Sequence, residues 1–242
     1  MSLDRQLYGG FSLMLIKDWM TKDVLTVEEN TSLMRATRIL KENSIRRLPV
    51  VSHGKLIGII TDRDVKDASP SKTTSLDIHE LYYLLSEMKV KDVMTAKPLT
   101  LSEDETLEKA ALIMLEGKIS GLPVVDELGH LVGLLSETDV LRGFIHSTGI
   151  KDGAIQFVFD LPDVAGSVTK VIESFRKFNA RIISILTSFE DAPKGEKRVA
   201  VRVMIDNDEQ KETMIKELRE TFSVVYHAED ELKNVPNKRC VI

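Results

Sequence analysis

The chain of 242 residues has a single cysteine, Cys240, so it can build neither an internal disulfide nor a cysteine-based zinc site. This scarcity fits a reducing compartment, and a cytoplasmic protein is expected. No apolar run reaches the roughly 20 residues that cross a bilayer. Positive charge is not in excess either: 33 Lys and Arg stand against 38 Asp and Glu, for a net charge of −5. Broad binding to nucleic acid or to an anionic membrane would need a basic face, so both are excluded as expectations. Catalytic signatures are missing too. There is no Ser-His-Asp order with a nucleophile elbow, no His-Glu-x-x-His, no Walker loop and no Gly-x-Gly-x-x-Gly. The five histidines (His53, His79, His130, His146 and His227) are scattered, and His53 and His130 read as exposed polar residues at turns. Nothing in the sequence supports an enzyme. With 43% hydrophobic and 29% charged residues the chain is an ordinary globular one, which rules out disordered, collagen-like and low-complexity classes. Residues 1–13 lack the basic-then-apolar order of a signal peptide and read as an added extension ahead of a natural start at Met14.

What the sequence does have is an internal repeat. The segment MLIKDWMTKDVLTV (14–27) returns as MKVKDVMTAKPLTL (88–101), and SIRRLPVV (44–51) returns as KISGLPVV (118–125), both displaced by 74 residues. KLIGIITDRDV (55–65) returns as HLVGLLSETDV (130–140), displaced by 75. The extra residue falls where Ser52-His53-Gly54 becomes Asp126-Glu127-Leu128-Gly129, a turn, which is where insertions are tolerated.

Each copy predicts the same elements. Leu33, Ala36, Ile39 and Leu40 fall at helical spacing, as do Leu107, Ala110, Ile113 and Met114. Thr31 or Ser32, and Asp104 or Thr106, are candidate N-caps. Strands over 48–51 and 122–125 lead through a Gly-containing turn to strands over 56–61 and 131–136, and second helices start at Asp62 and Glu137. Met34 and Met114 read as core residues, and Trp19 as a packing residue. A β-α-β-β-α unit of about 55 residues buries little core alone, so the two copies are expected to pack together. A turn-rich linker (69–75) and a helix over 79–88 separate them.

Beyond 149 the pattern changes. A strand over 154–159, a turn over 160–163 and a helix over 164–179 are followed by strands over 181–188 and 198–205. A helix over 209–221 and a strand over 222–226 complete the unit. This β-α-β-β-α-β order is ferredoxin-like. The tail over 229–242 has no periodicity.

In both copies a hydroxyl precedes a carboxylate by three residues where a strand passes into a helix: Thr61 with Asp64, and Ser136 with Asp139. A hydroxyl and free N–H groups at a helix N-terminus suit a phosphate oxygen. The same spacing is also a variant of the capping box, and taken singly capping is the better account. Its recurrence inside matched repeats favours nucleotide binding. Arg46, Arg47 and Arg63 offer cations to the first cleft, whereas Ser120, Gly121 and Thr138 stand at the matched positions of the second. Unequal clefts are therefore expected, with Arg142 and His146 as partial compensation in the second. Solvated surface is the competing account of Arg46 and Arg47.

On these three matched blocks the chain resembles the CBS-domain family, two tandem motifs forming a Bateman module, and its third unit resembles an ACT domain. The linker (TTSLDIHELYYLLSEM, 73–88) is similar to that of bacterial acetoin-utilisation accessory proteins with the same CBS–CBS–ACT order. The resemblance implies a mixed α/β and α+β protein, with a pseudo-symmetric CBS pair followed by a ferredoxin-like domain. It divides the chain into an extension (1–13), CBS motif 1 (14–71), linker (72–87), CBS motif 2 (88–149), ACT-like domain (150–228) and tail (229–242). It implies an adenine nucleotide (AMP, ADP or ATP) as ligand and no covalent cofactor, and the doubly acidic segment of Asp62 and Asp64 could hold magnesium through that nucleotide, though its spacing does not demand it. Asp64 and Asp139 would hold ribose, and Thr61 and Ser136 would reach phosphate. Thr21 and Thr95, with Val50 and Val124, would line the adenine pockets. It further implies a homodimer that regulates an unidentified protein.

In the ACT-like unit the loop Asp160, Leu161, Pro162, Asp163, Val164, Ala165 and Gly166 would contact an amino-acid ligand. Asp163, however, stands where a glycine commonly follows the proline, which hinders a ligand carboxylate sterically and by charge. A dimerisation module without effector is the competing account. S-adenosylmethionine, NAD or a cyclic dinucleotide are alternative cleft ligands, and a ligand-free scaffold is the alternative function.

Overall fold

The computed structural model describes residues 14–68, 83, 85–152 and 155–229, with the side chain of residue 152 left aside. The N-terminal extension, most of the linker with its helix, and the tail beyond 229 lie outside the described residues. Two compact units divide the chain after Gly143.

In the first unit the two copies share two helices and a hairpin and differ in the short strand that precedes them. Copy 1 runs through β1 (Val27–Glu28), α1 (Leu33–Glu42), β2 (Arg47–Ser52), β3 (Lys55–Thr61) and α2 (Asp62–Ala68). Copy 2 runs through β4 (Thr95–Ala96), α3 (Leu107–Gly117), β5 (Gly121–Val125), β6 (Leu131–Ser136) and α4 (Glu137–Thr148). The N-caps resolve to Ser32, whose side chain accepts from the Arg35 N–H, and Thr106, which accepts from the Lys109 N–H. An oxygen at that position satisfies a donor that the helix itself cannot. The two hairpins, β2–β3 and β5–β6, are antiparallel and carry a register shift at the same place, between Val50 and Val51 and between Val124 and Val125.

The copies are built from each other's parts. The leading segment of copy 2 supplies β4, which pairs with Gly58 and Ile59 of β3 in copy 1. In the mirror arrangement, the N–H of Thr21 in copy 1 donates to the Leu134 carbonyl of β6 at 3.0 Å, and the Leu134 N–H donates back at 2.9 Å. The short 3₁₀ turn Val90–Asp92 donates from Val90 N–H to the Thr31 carbonyl ahead of α1. Its counterpart Ile16–Asp18 donates from Ile16 N–H to the Glu105 carbonyl ahead of α3. The core of copy 1 thus joins Leu33, Ala36, Leu40, Leu48, Val50 and Ile60 to Leu85, near the end of the linker, and to Val90 of copy 2. This exchange solves the problem of two small cores more intimately than the packing of two finished sheets that the sequence suggests.

Met114 is buried as expected, but Met34 is 41% exposed: its place on α1 faces water. Trp19 packs beside Gly143, where an added β-carbon would press on both Trp19 and Leu107.

The second unit is a four-stranded antiparallel sheet in the order β10–β7–β9–β8, formed by β7 (Ile155–Pro162), β8 (Arg181–Ser188), β9 (Glu196–Met204) and β10 (Ser223–Glu229). Helices α5 (Ser167–Lys177) and α6 (Asp208–Thr221) complete the β-α-β-β-α-β order. Aromatics, only 5% of the chain, concentrate here. Phe175 lies 5.5 Å from Phe157 and 6.2 Å from Phe159, and Phe222 meets Phe159 edge-on at 5.9 Å. Such tilted pairs add to the burial of large apolar area. The first strand runs to Pro162, past the turn expected at 160–163. Asp160 pairs with Arg198 on the neighbouring strand and Leu161 enters the core, so both are ordinary strand residues.

Candidate functional site

Strand β3 ends at Thr61 and α2 begins at Asp62, so Thr61 is the N-cap and Asp64 is the third helical residue. The two form a complete capping box. Asp64 Oδ2 accepts from the Thr61 N–H and from the Thr61 hydroxyl, both at 2.7 Å, and Thr61 Oγ1 accepts from the Asp64 N–H at 3.3 Å. Copy 2 repeats it. Asp139 Oδ2 accepts from the Ser136 N–H at 3.0 Å and from its hydroxyl at 2.5 Å, and Ser136 Oγ accepts from the Asp139 N–H at 3.3 Å. The capping account of these residues is therefore realised in both copies. It leaves the second carboxylate oxygen over. Asp64 Oδ1 has no partner among the described residues, whereas Asp139 Oδ1 accepts from Arg142 Nη1 at 3.2 Å.

The exchange of leading segments decides which threonine stands beside which box. Thr95 pairs with Ile59, so it shares a sheet face with Thr61, two positions along β3. Thr21 pairs with Leu134 and by the same alternation shares a face with Ser136. Each box is therefore flanked by the exposed threonine of the other copy. Val50 and Val124 are both 0% exposed. They are core residues, and the expected place of their side chains on a pocket wall is corrected: each lies on the buried strand face of the leucine two residues before it, Leu48 or Leu122.

The three arginines part company. Arg46 and Arg63 are exposed near the first box. Arg47 instead reaches across to copy 2, donating from Nη1 to the Ser120 carbonyl at 2.6 Å and from Nη2 to Ser120 Oγ at 2.7 Å. Its guanidinium fills the space that a side chain at Gly121 would need. Burial lowers its pKa, the neighbouring charge of Arg46 lowers it further, and Asp139, Asp62 and Glu137 act the other way. Arg47 is thus engaged with copy 2 and is withdrawn from the set of cations serving the first box. Ser120 and Gly121, read from the sequence only as missing arginines, are its seat. The signal was the replacement of Arg-Arg by Ser-Gly within otherwise matched blocks. Arg142, expected as a compensating cation for the second cleft, pairs with Asp139 itself.

Of the expected effector loop, only 163–166 remains a loop. Asp160 is held by Arg198 through bonds of 2.9 and 3.1 Å, Leu161 is buried, and Pro162 ends β7, so these three are corrected to strand residues. Asp163 lies 3.4 Å from Lys197 Nζ, which offsets its charge. Val164 and Ala165 are exposed, and Gly166, at φ +81°, is the N-cap of α5. The adjoining Ser167 hydroxyl is buried with no hydrogen-bond partner.

Among the described residues no cluster of three or more His, Cys, Asp or Glu is placed to hold a metal ion. No described helix is long and apolar enough to cross a membrane.

A tandem βαββα pair with a repeated hydroxyl–carboxylate box defines a class of paired-repeat modules, and comparison with known proteins gives that class its name. The CBS domain model matches residues 16–71 and 90–146. A CBS domain-containing protein of Dictyostelium discoideum is 37% identical over 128 residues, 52% of this chain and 88% of that protein. The chain belongs to the CBS-domain family. Among solved structures, the CBS domain pair of protein MJ0100, in complex with 5′-methylthioadenosine and S-adenosyl-L-methionine, is 36% identical. It covers 54% of this chain and 98% of that one, with a TM-score of 0.45. CBSX2 of Arabidopsis thaliana in complex with AMP is 34% identical and covers 55% and 96%, with a TM-score of 0.45. Several other curated relatives are far longer. The chain spans 23% of an L-aspartate semialdehyde sulfurtransferase of Methanocaldococcus jannaschii and 29% of an inosine-5′-monophosphate dehydrogenase of Korarchaeum cryptofilum. CBS pairs are typically regulatory, non-catalytic modules, and in such enzymes the pair is only a part.

Proposed function

We propose that this chain is a regulatory protein that binds an adenine nucleotide (AMP, ADP or ATP) at two sites organised on the Thr61–Asp64 and Ser136–Asp139 boxes. One observation carries this reading. The same box occurs twice at a strand-to-helix junction, each time flanked by a threonine of the other copy, and in the first copy Asp64 keeps Oδ1 over. That oxygen is disposed to accept from a ribose diol, and the helix N-terminus beside it suits phosphate. Arg46 and Arg63 make the first site the better place for a polyphosphate. At the second, Arg142 already serves Asp139. Magnesium would arrive only bound to nucleotide phosphates, since Asp62 is itself paired with Lys66 at 3.2 Å. Calorimetry of the nucleotide-free full chain with AMP, ADP and ATP tests the reading. Heat with tighter binding of the more highly charged nucleotides at the first site is expected. Flat titrations for all three overturn it.

The domain boundaries follow the same reading: CBS motifs over 14–71 and 88–149, joined by a linker over 72–87, and an ACT-like, ferredoxin-like domain over 150–228 between which and a partner protein the signal passes. A homodimer in the cytoplasm is part of the proposal. A place in acetoin or related carbon metabolism rests on the resemblance of linker and domain order alone. The buried, unpartnered Ser167 hydroxyl beside Gly166 supports an amino-acid effector at that loop.

A ligand-free scaffold is the second reading, and the completeness of both capping boxes favours it, because their hydroxyls are satisfied without ligand. Thermal denaturation separates the two: a nucleotide at 100 times its dissociation constant adds about 2.7 kcal/mol. A response to S-adenosylmethionine, NAD or a cyclic dinucleotide instead would reassign the ligand and keep the sites.

A further inference from the structure

Arg47 stands directly across the β2–β3 ladder from Thr61, the N-cap of the first box. Gly121, which its guanidinium covers, stands directly across the β5–β6 ladder from Ser136, the N-cap of the second. The hydrogen bonds extend the symmetry. The first residue of α2, Asp62, donates its N–H to the Arg46 carbonyl at 3.0 Å. The first residue of α4, Glu137, donates its N–H to the Ser120 carbonyl at 3.0 Å. That Ser120 carbonyl is the one Arg47 also grips. A continuous path therefore runs from the start of α2, through the Arg46–Arg47 backbone and the Arg47 side chain, to Ser120 and the start of α4.

We infer that Arg47 is a positioning residue shared by both sites, through which ordering of one helix N-terminus is transmitted to the other. The planar guanidinium makes this feasible, because its two parallel donors fix carbonyl and hydroxyl of Ser120 together, where an ammonium would act as a single point charge. The asymmetry of the repeat has the same origin. Ser120 and Gly121 are the counterparts of Arg46 and Arg47, and a second arginine at 121 would claim the volume that Arg47 occupies. One arginine can cross there; two cannot.

The coupling links the two sites proposed above, but its measurement needs no nucleotide, so failure of the nucleotide reading and failure of the coupling are separate results. In the full-length protein, Asp139→Asn disturbs the second box, and amide hydrogen exchange at Thr61 and Asp64 reports the first. With Arg47 in place, the change is expected to accelerate exchange at Thr61 and Asp64 by about fivefold or more, the lower end of ordinary site–site coupling. In Arg47→Lys, which keeps charge and stem but loses the fork, and in Arg47→Ala, which removes the side chain, the same Asp139→Asn change is expected to leave exchange in the first box unmoved. Equal acceleration in all backgrounds, or none with Arg47 intact, overturns the assignment. Two variants of different size keep the test open should one of them fold poorly.

Discussion

The sulfur of Met94 occupies the place a β-carbon on Gly58 would take, with the Thr95 carbonyl 3.1 Å from that point. Met20 stands over Gly133 in the same way, with the Thr21 carbonyl again at 3.1 Å. The glycine of each β3-type strand is the notch into which the other copy's leading segment fits. Gly58→Ala and Gly133→Ala should each lower stability by about 1–3 kcal/mol through overpacking. Urea midpoints of the two variants check this, and the near-equality of the two losses is part of the expectation.

Gly121→Ala should displace the Arg47 guanidinium from Ser120. The added methyl group and the guanidinium cannot share the space. A loss of about 1–3 kcal/mol is expected by the same overpacking. In Arg47→Ala, where the space is vacated, adding Gly121→Ala should cost far less, which a double-mutant cycle in denaturant measures directly.

Thr61→Ala and Ser136→Ala remove the N-cap oxygens and should each cost about 1 kcal/mol of stability. Asp64→Asn keeps an acceptor for the Thr61 N–H while removing the charge. It should cost little in thermal stability yet weaken AMP binding tenfold or more in calorimetry. Equal affinity of Asp64→Asn and the parent for AMP would remove Asp64 from the ligand site.

The turn of the second hairpin carries a pH dependence. The Asp126 carboxylate accepts from the N–H groups of Leu128 and His130 at 2.9 and 2.8 Å and meets His130 Nδ1 at 3.1 Å. The backbone bond from His130, foremost, holds its pKa below the usual aspartate value. A lowered carboxylate pKa gives a contribution present above the unfolded-state value and lost as pH falls through the folded one. Protection of the His130 amide, measured against its intrinsic exchange rate, should therefore fall as pH drops below the ordinary aspartate range, and Asp126→Asn should flatten that profile.

Phe175→Ala, at the centre of the aromatic cluster, should destabilise the second unit by about 3–5 kcal/mol. The near-ultraviolet aromatic signal measured against urea reads this out.

Much of the fold was legible from residue patterns because local rules decide it. Helix starts at Leu33 and Leu107, hairpins bracketed by Leu-Pro-Val-Val, and strand 181–188 follow from spacing, caps and turns. The exchange of leading segments was not legible, because two matched repeats read the same whether each keeps or trades the segment ahead of its first helix. Thr21 and Thr95 therefore came out as site candidates without a pairing. Val50 and Val124 follow Leu48 and Leu122 by two residues, and strand alternation alone puts all four on the buried face. Arg47 resembles its exposed neighbour Arg46 in sequence, and the absence of a side chain 74 residues away is what makes room for it. In the second unit Asp160 and Pro162 have turn chemistry, yet pairing with β9 through Arg198 extends the strand over them.

The trading of leading segments between the repeats bears on what a protease could do to this molecule. A cut anywhere in 69–82 would leave two fragments, each still carrying a leading segment hydrogen-bonded to the hairpin of the other. Such a nicked protein should elute as one species and come apart only when denatured, like a heterodimer made from a single gene product.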